Sequence, residues 1–263
     1  MAPINHFDIN AELERELEYL ALQARWTRPM RLDLYRRAGL MRREKIADIG
    51  CADGLITAEI AGRTRGKVVG IDISVEAIAR AREKYLEIEP ESDKIDFKVG
   101  DFQNLPFRRG ELDAVTTNFT LMWVERPERA VKEAARVLKK GGVFLATGEP
   151  DYGGRIDLPE ELSLKDFWAD SIRKKGGDPF FGRRLVSLFR SAGFKEIEAG
   201  VHPSFWTGEG GDKGDLNIYL DDLGWWLSAA GRDPGPIIKR ERAAIKNGLR
   251  LVFMPIFWAT GVK

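Results

Sequence analysis

The stretch Ile46-Ala47-Asp48-Ile49-Gly50-Cys51-Ala52-Asp53-Gly54 is the most informative in the chain about its architecture. Residues 45–49 read as a buried strand that delivers an acid, Asp48, and then a Gly-rich turn over 50–54. Glycine has no Cβ, so it reaches positive φ and lets a ligand come close to the backbone. In doubly wound sheets, ligands settle beyond the carboxyl ends of the strands. The turn therefore marks a ligand site as well as a fold.

Outward from this turn the chain alternates. The pattern predicts a helix over 55–62, a strand over 67–71, a helix over 75–86 and strands over 95–99 and 112–117. A helix over 128–138 and a strand over 142–147 follow. Strands rich in Val and Ile, separated by helices, imply a parallel doubly wound sheet. Upstream, residues 10–40 read as helical. Asn10 serves as a cap, and Leu13, Leu17, Leu20, Leu22 and Trp26 form an apolar stripe at roughly helical spacing. Pro29 is expected to interrupt this helix and start a second one.

After Pro150 the rhythm changes. The sequence suggests a turn over 151–154, helices over 160–175 and 182–192, and a strand over 195–205. A flexible Gly-rich loop over 208–215, helices over 216–230 and 237–246, and an apolar strand over 249–260 complete it. The expected architecture is α/β: a Rossmann-like, doubly wound, mostly parallel seven-stranded sheet with an N-terminal helical cover and a helical insertion between late strands. Residues 1–263 form one domain in this reading, with a cover (1–44), a cofactor-binding core (45–149) and an acceptor side (150–263).

Charge narrows the partners. The 263 residues carry 42 basic and 41 acidic side chains, so no global field draws the chain to nucleic acid or to an acidic membrane. The single cysteine, Cys51, forms no intrachain disulfide and fits a cytoplasmic setting. One cysteine and two histidines argue against a Cys/His zinc site, and no metal is expected. No apolar run reaches the roughly 18 residues of a membrane span, and the acidic first residues give no signal-peptide pattern.

The strand ends carry the chemistry. A dinucleotide turn wants G-x-G-x-x-G/A, but Ala52 and Leu55 stand at its second and third glycines, and Asp53 would face a pyrophosphate. No G-K-[ST] follows, so a Walker phosphate loop is excluded. Asp72 ends the second strand, where an acid accepts hydrogen bonds from both hydroxyls of a ribose. Asp101 ends the third, where a carboxylate can accept from an adenine amino group while Phe102 offers a flat face. Asn118 follows the fourth strand.

This ordered series resembles the class I S-adenosylmethionine-dependent methyltransferases, in particular the ubiquinone-biosynthesis-like small-molecule branch. The resemblance is strong over about 45–149 and loose elsewhere. Asp48–Gly54 looks like the D-x-G-C-G-x-G motif, with Ala52 in place of a glycine. Asp72 matches the ribose acid, Asp101 the adenine acid, and Arg136–Gly142 the R-V-L-K-P-G-G motif. The resemblance implies S-adenosylmethionine as cofactor, with S-adenosylhomocysteine as product. The cofactor set is then Asp48, Gly50, Cys51, Ala52, Gly54, Asp72, Ile73, Asp101, Phe102 and Asn118, with Arg31 of the cover set to meet the cofactor carboxylate and Gln23 as a second choice. Relatives often carry a histidine near the Trp123-Val124 pair, which this chain lacks.

No catalytic residue is assigned. Asp151, Tyr152 and His202 are candidates for a base. The N-P-P-Y and D-P-P-Y motifs of relatives that methylate adenine, cytosine or amide nitrogens are absent from Thr116-Thr117-Asn118-Phe119. A small apolar or aromatic acceptor is therefore the leading expectation, with no nucleic-acid partner. Trp168 and Trp206 are expected in its pocket. An RNA or protein methyltransferase and a non-catalytic cofactor-binding regulator remain as alternatives.

Overall fold

The computed structural model describes residues 6–86, 94–207 and 213–263. Strands β1 (Lys45–Ile49), β2 (Lys67–Asp72), β3 (Ile95–Val99), β4 (Leu112–Thr117) and β5 (Leu138–Pro150) lie parallel in the order 3-2-1-4-5. Beyond β5 the direction reverses. β8 (Leu251–Val262) pairs antiparallel with β5, and β7 (Lys195–Trp206) runs antiparallel along the other edge of β8. A short β6 (Ile156–Leu158) pairs with residues 251–253 of β8. It adds an eighth strand to the seven that the pattern suggested, because three residues are too few to show a period of two.

Two faces of the sheet alternate as the pleat requires. Ile46, Val68, Ala114 and Leu145 face one side, where Tyr35, Leu40 and Ile60 cover them. Ala47, Ile49, Val115 and Phe144 face the other, against Val131, Ala134 and Leu188. The covering helices are α1 (His6–Arg37) and α2 (Leu55–Ala61) on the first side, and α4 (Pro127–Val137) and α6 (Leu185–Ser191) on the second. α4 shows why such segments are helical: Pro127 starts it without losing an internal bond, and Ala130, Val131, Ala134 and Val137 form one buried stripe. α3 (Val75–Leu86) starts where the Ser74 hydroxyl accepts from the Ala77 N–H at 3.0 Å. The helical insertions are α5 (Lys165–Lys174) with α6, and α7 (Lys213–Ala229) with α8 (Pro234–Lys246). Part of the expected loop over 208–215 lies outside the described residues.

The break expected at Pro29 does not occur. α1 is a single helix of 32 residues with the proline inside it. Pro29 and Arg25, whose carbonyl loses a donor, are both exposed, so water can take the missing bond. In the turn before, the Thr27 hydroxyl bonds the Gln23 carbonyl at 2.9 Å and Arg31 Nη1 bonds the Ala24 carbonyl at 2.8 Å. Side chains thus help hold this turn of the helix together.

Strand order reverses between β1 and β4. The chain runs outward through β2 and β3, then returns to place β4 on the other side of β1. A crevice opens at such a switch point, beyond the carboxyl ends of β1 and β4.

Candidate active site

The turn after β1 is built for close approach. The Gly50 and Cys51 N–H groups both donate to the Ile71 carbonyl, at 2.7 and 3.1 Å. Gly50 has φ 74°, and a Cβ there would lie 2.1 Å from the Thr120 hydroxyl. Gly54 has φ 84°, and its Cβ would strike the Phe97 ring at 2.5 Å. Ala52 also sits at positive φ, 47°, which explains why relatives use glycine there. Its N–H donates to Asp72 Oδ2 at 2.9 Å, while Asp72 Oδ1 accepts from the Ser74 N–H at 3.0 Å. Asp72 therefore pins the turn and keeps lone pairs for a ligand.

Gly50, Cys51, Ala52, Asp72, Ile73, Asp101, Phe102 and Asn118 converge on one cavity of about 730 Å³. Asp101 is held by the Gln103 N–H at 2.8 Å, and Asn118 Oδ1 accepts from the Thr147 hydroxyl at 3.0 Å. α1 forms another wall through Glu16, Leu20, Ala21, Gln23 and Ala24. Among the described residues, five carboxylates line this cavity (Glu16, Asp53, Asp72, Asp101, Glu125) against one ammonium, Lys175. Such a wall repels a pyrophosphate and suits a cofactor with net positive charge, as S-adenosylmethionine has through its sulfonium and amino groups. The volume lies within the usual range for ligand sites.

Three of the expected residues sit elsewhere. Asp48 is 2% exposed and lies behind the turn, accepting from the Thr57 hydroxyl at 2.7 Å. Burial pushes its carboxyl up to about 7, against the pull of Thr57 and Arg31. Gly54 is buried at the start of α2, off the cavity wall. Arg31 is 1% exposed and does not reach the cavity. Its Nε and Nη2 bond Glu59 at 3.2 Å each, and its Nη1 bonds Thr27 Oγ1 at 2.6 Å and the Ala24 carbonyl. The guanidinium ties α1 to α2 and has no fork left for a cofactor carboxylate. Gln23, the second choice, does line the cavity.

A second cavity of about 290 Å³ adjoins the first, and Gln23 and Phe119 line both. Phe119 has φ 53°, an outlier for an aromatic residue and a form of backbone strain found at functional sites. Glu149 supports the neighbouring turn. It is fully buried, and its carboxylate accepts from the N–H groups of Thr120, Leu121 and Met122 at 3.0, 2.8 and 3.2 Å. Burial pushes it up to about 8, and those three donors act in the opposite direction. In the sequence Glu149 shows only as a lone acid at the end of an apolar strand.

Of the candidate bases, Tyr152 and His202 line the second cavity. Burial lowers the His202 imidazole below its ordinary value, so it is neutral at pH 7. Burial pushes the Tyr152 phenol up to about 12, so it keeps its proton. Asp151 is withdrawn as a candidate: Arg183 holds both its oxygens at 2.5 and 2.7 Å, and it caps the Gly153 N–H. Trp206 lines the second cavity, whereas Trp168 packs with Leu164, Leu223 and Leu227 in the core.

Comparison with known proteins agrees with this geometry. Residues 47–146 match the family described as a methyltransferase domain. An uncharacterized 37.1 kDa protein in transposon TN4556 of Streptomyces fradiae is 33% identical over 154 residues, which is 57% of this chain and 43% of that one. The chain thus spans less than half the length of that relative. A demethylmenaquinone methyltransferase of Symbiobacterium thermophilum is 31% identical over 176 residues, 59% of this chain and 70% of the relative. Phosphoethanolamine N-methyltransferase 2 of Haemonchus contortus, solved in complex with S-adenosyl-L-methionine, shares the fold at a TM-score of 0.60 and 18% identity, over 88% of this chain and 51% of that one. An acidic cavity at the switch point and these relatives lead to one assignment: the chain belongs to the class I S-adenosylmethionine-dependent methyltransferases.

Proposed function

We propose that the protein transfers the methyl group of S-adenosylmethionine to a small, largely apolar or aromatic acceptor held in the second cavity. The observation that carries this reading is the junction at Gln23 and Phe119, where a cofactor-sized cavity meets a smaller one walled by Trp26, Trp206, Val252, Met254 and Ile256. The cofactor supplies a methyl already activated by its cationic sulfur. The chain's contribution is to hold an acceptor in line with it, and such orientation can supply ~7–11 kcal/mol. Asp72 takes the ribose hydroxyls, Asp101 the adenine amino group, and the turn over 50–53 lies against the methionine part. α1 forms a cover that keeps water from the junction. His202 accepts a proton from an acceptor hydroxyl. The Symbiobacterium relative, whose name gives demethylmenaquinone as its acceptor, supports a small-molecule acceptor.

Two measurements test the reading. Calorimetry should show S-adenosylhomocysteine binding and no binding of NADH. Labelled S-adenosylmethionine incubated with a metabolite extract should then yield a labelled small molecule. Label found only in RNA or protein, or cofactor binding with no transfer to any fraction, would overturn the acceptor assignment.

A further inference from the structure

The passage from α8 into β8 forms an edge of the molecule that lines neither cavity. α8 carries Lys239, Arg240, Arg242 and Lys246 on its exposed side. Lys239, Arg242 and Lys246 follow one another at intervals of three and four residues and so share a face. The one acid of the helix, Glu241, is turned inward and buried. Among the described residues no carboxylate pairs with any of the four cations. Arg240 donates to the Glu161 carbonyl at 3.2 Å and Arg242 to Asn217 Oδ1 at 3.5 Å. Glu160 and Glu161, on the adjoining turn, are the acids nearest in the chain to β6.

Beside the basic face lies an apolar lip. Past α8 the chain presents Leu249, which is 64% exposed. Ile156 and Leu158 of β6 are 54% and 46% exposed. They pair in register with Phe253 and Leu251, on the face of β8 away from the second cavity, which Val252 and Met254 line. Arg250 fastens these pieces together. It is buried, and it donates from Nε to Glu241 of α8 at 2.7 Å, from Nη1 to the Leu158 carbonyl at 3.0 Å and from Nη2 to Asp157 of β6 at 2.8 Å. A buried guanidinium shared in this way fixes the helix against the strand, so the basic face and the apolar lip form one unit.

From this arrangement we infer that the edge docks on an anionic lipid surface. Ile156, Leu158 and Leu249 enter the headgroup layer, and the cations of α8 meet the lipid phosphates. Large apolar side chains exposed as a group mark an interaction site. Three of them are too few for a stable protein interface, which takes about 20–30 residues a side. A bilayer asks for less: a shallow apolar contact, and several long cationic side chains whose heads reach the phosphates while their stems lie against the acyl boundary. The chain carries a net charge of +1, so the attraction belongs to this edge and not to the molecule as a whole. The inference stands independently of the acceptor assigned above.

Sedimentation of the full chain with vesicles tests it. One set of vesicles is phosphatidylcholine alone, and the other holds equal parts of phosphatidylcholine and phosphatidylglycerol. At low salt the protein should bind the anionic vesicles at least tenfold more tightly than the neutral ones, and concentrated salt should release it. Lys239→Gln/Arg242→Gln/Lys246→Gln should weaken that binding at least fivefold, and Leu158→Gln/Leu249→Gln should do the same. Both variants should keep the wild-type affinity for S-adenosylhomocysteine, which shows that they are folded. Binding to neither kind of vesicle would overturn the inference, as would equal binding to both or variants that bind like wild type. So would a wild-type dimer in solution that Leu158→Gln/Leu249→Gln converts to a monomer, since the lip would then be a contact between two copies of the chain.

Discussion

At the scale of single residues, two acids near the same turn have opposite environments. Asp72 is half-buried on the cavity wall and accepts two backbone N–H groups. Losing a charged acceptor from a ribose site costs roughly 1.5–3 kcal/mol. Asp72→Ala should therefore weaken S-adenosylhomocysteine binding at least tenfold by calorimetry while the far-ultraviolet spectrum stays native; unchanged affinity would remove Asp72 from the site. Asp48 lies behind the turn with its carboxyl raised to about 7. Its folded form holds a proton more tightly than the unfolded chain does. The resulting stability is complete below about pH 4 and is lost as pH rises through 7. The melting temperature should drop between pH 5 and pH 8, and Asp48→Asn, which keeps an acceptor for Thr57, should reduce that drop by several degrees. Equal slopes for the two proteins would show that Asp48 is ionised throughout. Both acids were legible in the sequence as strand-end carboxylates, but not their difference. Burial depends on which layers close over a residue, and for Asp48 these include α1, whose docking the strand's own residues do not reveal.

Among the elements, α1 does the most to join distant parts. Its face carries Glu16, Leu20, Gln23 and Ala24 to the first cavity and Tyr19, Trp26 and Thr27 to the second. It is fastened to α7 by Arg15–Asp222 and Arg25–Asp215, and to α2 by Arg31–Glu59. Its second half is core, with Met30, Leu34 and Tyr35 buried. Deleting residues 1–27 leaves that half in place and removes the roof of both cavities. The truncated protein should fold with a lowered melting temperature, bind S-adenosylhomocysteine more than tenfold more weakly, and lose transfer. Retained affinity in a folded truncation would reduce α1 to a packing helix. The apolar stripe announced this helix, yet two local inferences from it failed. Pro29 faces solvent and is tolerated, and Arg31 found an acid on α2 rather than a ligand. Both outcomes depend on which way a side chain faces once the helix docks, and spacing alone does not give that.

At the scale of the whole molecule, the first cavity is readable on the side where its walls come from consecutive strand ends, each marked by a glycine or an acid, and not on the side that α1 closes. The second cavity is not readable. Its walls come from α1, the turn after β4, the segment before β6, and then β7, α7 and β8, and only Tyr152, His202 and the aromatic residues carried any hint of it. Methyl transfer in this protein would depend on how these two cavities meet. A crystal structure of the protein with S-adenosylhomocysteine tests that most directly. The ribose hydroxyls should lie on Asp72 and the sulfur at the Gln23–Phe119 junction, facing the second cavity. A sulfur turned away from that junction, with Gln23 and Phe119 closing the second cavity off, would contradict this arrangement.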